Sequence, residues 1–367
     1  MSNSTEDSNA PTPTVMEEPE GIDQQVLNLG NFPIDSLMIR TETRSVFEVS
    51  RRIDSNHYIM DPDFQRQFVW DIERQSKLIE SALLRIPLPV FYLAETVAGK
   101  VVVVDGLQRL TSFHRFLKSS FGLRGLGFAK DLNGVKFCDL APALQNRLED
   151  TPLTLYLIDS SVPDEAKYEI FERVNGGVPL TRQQMRNCLY VGDATRWLGR
   201  MADQVEFLNA TERSLNWKTM RDRECINRFA GFVTQGWRSY GGDMEDFLNT
   251  TLKAMNTSCD FDTLTGLFLK SMRINRSIFG RHAFRKSIGG QGPRSVINVA
   301  LFDVLSVEFV LWGEEAANAA QEPIRNAIQT LLSDSEFDEA ISRSTNSLRN
   351  VKLRFEKIEQ ALTPLRL

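Results

Sequence analysis

Hydrophobic positions along this chain keep two different periods. Up to residue 159, short continuous apolar runs alternate with segments whose apolar residues recur every three or four positions; beyond Pro163 only the longer period persists. LPVFYLAE and KVVVVD read as two strands of one sheet joined by a Val-Ala-Gly turn, and LTLYLID (153–159) as a third. The four valines of KVVVVD predict a strand buried on both faces. FPIDSLMIRTETRSV predicts a short entry strand that leads into the helix-prone RSVFEVSRRID. PDFQRQFVWD is extended, and IERQSKLIESALLRIP is a helix with Asp71 as N-cap and Pro87 just past its end. PDEAKYEIFERVN places Ala166, Ile170 and Phe171 on one side and breaks at Asn175-Gly176-Gly177, ahead of a helix capped by Thr181. The expected fold class is α+β: a mixed first lobe, then an all-α lobe beyond about residue 195.

Charge is distributed unevenly. The first 39 residues hold seven acids (Glu6, Asp7, Glu17, Glu18, Glu20, Asp23, Asp35) and no Lys or Arg. Such a stretch, with interspersed Pro and Ser, predicts a disordered acidic tail and not a signal peptide. Removing its seven negative charges from the net −5 of the 367 residues leaves the body at +2, so a polyanionic ligand is not excluded. Cys138, Cys188, Cys225 and Cys259 form no C-x-x-C pair and are expected to be reduced core thiols. The longest apolar candidate, SVINVALFDVLSVEFVLW, carries Asn298, Asp303 and Glu308 and is too polar for a membrane span. A soluble protein in the cytoplasm is expected, with no membrane partner.

The chemistry concentrates where the valine strand ends, at Asp105-Gly106-Leu107-Gln108-Arg109. A helix that starts just after a strand aims its unpaired N–H groups and its positive dipole end at the space above the sheet edge, which suits phosphate. Arg109 offers a planar fork for phosphate oxygens, Asp105 a ligand for a metal ion or water, and Gln108 both a donor and an acceptor. The same residues also serve as ordinary punctuation between strand and helix, and chemistry alone leaves both readings open.

PDFQRQFVWDIERQSKLIESALLRIPLPVFYL, VVDGLQRLTSF, FERVNGGVPLTRQQMRNCLY and INVALFDVL, in that order, resemble the GmrSD-type family of bacterial defence proteins in its N-terminal ParB/sulfiredoxin-like domain, over residues 30 to 310. The resemblance implies a nucleotide-binding, Mg²⁺-dependent NTPase that acts as sensor or regulator in anti-phage defence or restriction, with a separately encoded nuclease as partner. It implies a disordered tail over residues 1–30, a ParB/sulfiredoxin-like nucleotide-binding domain over 31–192 and a helical domain over 193–367. Asp105 and Gln108 become candidate catalytic residues, and Glu80 and Asp105 candidate metal ligands. Arg66, Gly106, Arg109, Thr111, Arg173 and Asn175 become candidate nucleotide-binding residues, with Arg66 facing Arg109 across a cleft. Leu107 stands where the family's Asp-Gly-Gln-Gln-Arg motif has its first glutamine; if that glutamine orients water, hydrolysis is impaired while binding survives. Arg186 and Asn187 match a further family block and are expected to buttress the loop. Each has a plainer reading: Arg66 stacked on Trp70, Glu80 in a salt bridge, Asn-Gly-Gly as a helix end, His114 as a core or surface residue.

Residues 263–302 contain no Asp or Glu but carry Lys270, Arg273, Arg276, Arg281, Arg285, Lys286 and Arg294. Such a run is either a solvated face or a footprint for phosphate backbones, with Arg281, Arg285 and Lys286 as candidate DNA contacts. The acidic tail is an equally good neutraliser. Two further functions remain open: a non-catalytic DNA- or partner-binding protein that keeps the fold, and a ParB-like nuclease. An oligomer is compatible with all of them.

Overall fold

The computed structural model of the protein describes residues 16, 17, 19–21, 39–60, 70–96, 99–174, 181–288 and 293–366. The chain divides into two compact units, one formed by residues 26–191 and the other by residues 1–25 together with 192–367. The first is α+β and the second helical among the described residues.

The α+β unit is built on five strands: β1 (Ile39–Ser45), β2 (Tyr58–Ile59), β3 (Phe91–Glu95), β4 (Val101–Asp105) and β5 (Pro152–Ile158). Their order is β1-β5-β3-β4-β2, with β1/β5 and β3/β4 antiparallel and β3/β5 and β2/β4 parallel. Val101 to Val104 are all at most 4% exposed, as a strand covered on both faces requires. Six helices accompany the sheet: α1 (Val46–Asp54), α2 (Ile72–Leu83), α3 (Leu107–Leu117), α4 (Pro142–Glu149), α5 (Asp164–Val174) and α6 (Arg182–Leu189). α1 packs on β1, β2 and α3, α2 on α3 and α4, and α6 on β4. Two starts foreseen from side chains are present: Asp71 accepts from the Arg74 N–H at 2.7 Å, and Thr181 forms a capping box with Gln184. The two-residue β2 and the short α4 were not foreseen, since neither has enough residues to display a period.

The helical unit comprises α7 (Asp193–Ala202), α8 (Val205–Ala210), α9 (Arg221–Thr234), α10 (Met244–Thr257), α11 (Phe261–Phe279), α12 (Val299–Glu308), α13 (Glu314–Ala319), α14 (Gln321–Leu332), α15 (Ser335–Ser342) and α16 (Leu348–Leu362). α12 is apolar almost all round and packs against α9, α11, α15 and α16, which makes it the core helix. Its Asp303 is fully buried and accepts bidentately from Arg228 (2.9 and 2.7 Å) and from Arg354 at 2.7 Å. Asn346 accepts from Arg228 at 3.0 Å and, through its carbonyl, from the Tyr240 hydroxyl at 2.5 Å. Although burial works against the charge, Asp303 outweighs it and raises the Arg228 pKa.

Two expectations are corrected here. Within the stretch read as a disordered tail, Glu17 and Glu20 form β-bridges with Leu215 and Asn298 of the helical unit, because backbone groups and basic side chains of that unit receive them. Of the four free cysteines, Cys188 and Cys225 are buried, but Cys138 is exposed beside a short turn, so it is no core thiol. No helix of the described residues is long and apolar enough to cross a membrane.

Candidate functional site

A bulge shapes the end of β4. Tyr92 pairs with Asp105 and Leu93 with Val103, which leaves Val104 as the extra residue immediately before the candidate carboxylate. A bulge at this point re-aims the following side chain. Gly106 then takes φ +96°, and a Cβ there would lie 2.3 Å from Phe91 Cδ1, so only glycine fits. It is also the N-cap of α3, with no side-chain cap over the first amides.

The motif folds back on itself. Arg109 Nη2 donates to Asp105 Oδ2 at 2.7 Å and to the Val90 carbonyl at 3.0 Å, while Nη1 donates to the Pro89 carbonyl at 2.5 Å. The guanidinium lies 4.3 Å from the centre of the Phe91 ring. Burial lowers its pKa from the ordinary value, with Asp105 opposing the shift. Arg109, expected as a free fork for phosphate, is thus engaged with the loop before β3; Asp105, 34% exposed, is its charged partner.

Gln108 also engages Trp70. The Gln108 Oε1 accepts from the Trp70 N–H at 3.3 Å. Gln75, buried and not singled out from the sequence, donates to the Trp70 carbonyl at 2.9 Å and accepts from Arg115 of α3 at 3.2 Å. Its only sequence signal is its place one turn after the cap Asp71. Arg74 stacks on Trp70 at 5.0 Å. Arg66 and Asn175 lie outside the described residues.

The remaining candidates separate. Glu80 is corrected from metal ligand to loop anchor: its buried carboxylate accepts from the N–H groups of Gly127, Phe128 and Ala129 at 3.2, 2.8 and 2.9 Å. Burial pushes its pKa up, but these three donors prevail and lower it. Among the described residues no group of three or more His, Cys, Asp and Glu is placed to hold a metal. Thr111 is half-buried on α3, and Arg173 is a mostly exposed side chain on α5, paired with Glu169. On α6, Arg186 donates to Gln183 at 2.9 Å and Gln183 to Asn187 at 3.1 Å, all buried on the helix that packs on β4. His114 shares a hydrogen bond with Ser50 at 2.9 Å; burial lowers its pKa, against the pull of Asp54 at 3.7 Å.

The acid-free segment 263–302 is not a bare basic face. Arg285, expected at a DNA surface, is instead fully buried while Glu17 is in place, bonded to Glu17, Ser214 and backbone carbonyls, so it presents no free cation in this arrangement. Lys286 pairs with Glu20 and Asp338, each at 3.2 Å. Arg273 pairs with Glu206 and Glu314, Arg276 with Glu212, Arg294 with Glu17, and Lys270 donates to the Val310 carbonyl. The counter-charges come from outside the segment, in part from Glu17 and Glu20 of the acidic stretch weighed above as its neutraliser. Arg281 is exposed, with no partner among the described residues.

Residues 46–191, from the start of α1 to just past α6, match the family model of the GmrSD restriction endonuclease, N-terminal domain. No curated protein and no solved structure matches the chain.

Proposed function

We propose, from the match of residues 46–191 to the family model of the GmrSD restriction endonuclease N-terminal domain, that the protein works in restriction or anti-phage defence as a nucleotide-responsive sensor, with a nucleoside triphosphate bound at the Asp105–Arg109 strand exit. The observation that carries this reading is the glycine-only turn at Gly106, which opens the uncapped first turn of α3 beside an arginine held by a half-exposed carboxylate. A phosphate arriving there meets helix amides and exchanges with Asp105 for one edge of the Arg109 fork. Trp70, the last residue of the FQRQFVW block in the sequence, is hydrogen-bonded to Gln108, which supports a role for Arg66 in the same site. The mixed sheet is compatible with a ParB/sulfiredoxin-like fold.

Asp105 and Gln108 are the groups available to act on a water. Leu107 is 8% exposed, packs inward and carries no hydrogen-bonding group, which favours binding with slow turnover over rapid hydrolysis. The described residues do not build a protein-held Mg²⁺ site, since Glu80 is saturated by backbone amides and Asp105 is a lone carboxylate paired with Arg109. We assign the cutting of DNA to a separate polypeptide in the same compartment, the cytoplasm.

Titration calorimetry with ATP, GTP, CTP and UTP tests the proposal. One of them should bind the wild-type chain, and Arg109→Lys should weaken binding about tenfold, equivalent to about 1.4 kcal/mol, because an ammonium keeps the charge without the fork. Asp105→Ala should tighten metal-free binding by removing the competing carboxylate. No binding in the wild type, or equal affinity in all three proteins, overturns the assignment.

A further inference from the structure

The N-terminal acidic segment lies in the helical unit as a ligand lies in a site. Its backbone is held by hydrogen bonds from Glu17 N–H to Ser214 O and Glu20 N–H to Ile297 O, both 2.8 Å, and from Val299 N–H to Glu20 O at 2.9 Å. The Thr345 hydroxyl donates to Gly21 O at 2.8 Å. Two of its carboxylates, those of Glu17 and Glu20, meet cations. Glu17 Oε2 lies 2.6 Å from Arg285 Nη1 and Glu17 Oε1 2.7 Å from Arg294 Nη2, so one carboxylate bridges two guanidinium groups. Glu20 lies 3.2 Å from Lys286.

The charge around this groove is not balanced without the segment. Among the described residues, Arg276 and Arg294 pair with Glu212 and Lys286 with Asp338, two acids of the unit's own body set against five cations that include Arg281 and Arg285. Glu17 and Glu20 supply two more. His282 registers the surplus: its pKa is lowered by burial and then by Arg281, Arg285 and Arg294 together. Two guanidinium groups that converge on the two oxygens of one anion form the arrangement that suits phosphate. Arg281, exposed and acting on His282 together with Arg285 and Arg294, continues the positive track as a longer polyanion requires.

We propose that the groove of Arg285, Arg294 and Lys286 is a phosphate-backbone site for nucleic acid, and that the segment carrying Glu17 and Glu20 is its tethered competitor. In the closed arrangement the carboxylates stand where phosphate oxygens bind. A nucleic acid at sufficient concentration, or a partner that takes up the acidic segment, opens it. This site lies in the helical unit and stands apart from the nucleotide reading of the Asp105–Arg109 exit, so the test is run without nucleotide.

The full-length chain and its Glu17→Gln/Glu20→Gln variant are titrated against a fluorescent 20-base-pair duplex over a range of salt. The variant should bind about tenfold tighter at low salt, and its dependence on log salt should steepen by about two, near 0.9 for each additional phosphate neutralised. Adding Arg294→Ala should remove most of the gain. Unchanged affinity, or a gain that survives Arg294→Ala, overturns the proposal. So does a variant that captures a synthetic peptide of residues 14–22 yet not the duplex, since the groove is then a peptide site. Should the variant fail to fold, hydrogen exchange on the wild type replaces it: saturating duplex at low salt should speed exchange of the Glu20 and Val299 amides, and unaltered protection overturns the proposal.

Discussion

The same pair of side chains, an aspartate and an arginine, serves opposite purposes in the two units. In the helical unit Asp303 is sealed between Arg228 and Arg354 with no exposure, and every oxygen is used. In the α+β unit Asp105 is 34% exposed and holds Arg109 by a single hydrogen bond. Burial, not the identity of the residues, decides which pair is structural and which is exchangeable. A sealed pair loses heavily when broken because the surviving charge has no water to turn to. An open pair offers an incoming anion a prepared arginine at little cost, since a half-exposed ion pair is worth only about 0–1 kcal/mol.

Three substitutions probe that contrast. Asp303→Ala should have the largest effect, about 3–5 kcal/mol lost in chemical denaturation, because two buried guanidinium groups lose their counter-ion. A loss under about 1 kcal/mol would place this network on the same footing as an exposed pair and end the comparison. Arg109→Ala comes next. It leaves the Pro89 and Val90 carbonyls without their donor and uncovers Phe91, at about 2–3 kcal/mol without nucleotide, read as a lowered thermal midpoint. An unchanged midpoint would show that Arg109 is held only loosely before any ligand arrives.

Glu80→Gln, the smallest, separates burial from charge pairing, because this buried carboxylate is held by amides alone. The amide replaces one acceptor oxygen by a donor facing an N–H, at about 1–2 kcal/mol near neutral pH. The pH profile gives the sharper reading. Since the folded-state pKa is lowered, the contribution is complete above the ordinary glutamate value of about 4.3 and fades as pH falls through the lower folded value. The wild-type advantage over Glu80→Gln should therefore shrink below about pH 4. An advantage that persists undiminished at that pH would show that packing, not the charge, holds the 127–129 loop.

Local rules made much of this legible. Four valines announced β4, Asp71 and Thr181 announced the starts of α2 and α6, and Gly106 marked the turn that only glycine accepts. What escaped was most of the individual pairings between residues distant in the chain. Glu80 looked like a metal ligand because the three amides that saturate it lie 47 to 49 residues away. Arg285 looked like a surface cation because its counter-ion is 268 residues away. The polar residues of α12, which only argued against a membrane span, turn out to organise the core: Asn298 caps the helix and reaches the Ile341 carbonyl, Asp303 holds two arginines, and Glu308 accepts from Trp312.

The α+β unit interrupts the helical unit in the chain, and this ordering sets a timetable for synthesis. Residues 26–191 are contiguous and can close on themselves as soon as they emerge from the ribosome, as units of this size do. Glu17 and Glu20 are made earlier still, yet their docking partners Ser214, Arg285, Ile297 and Thr345 arrive only with the second half of translation. Residues made near the start of synthesis are thus among the last to find their place.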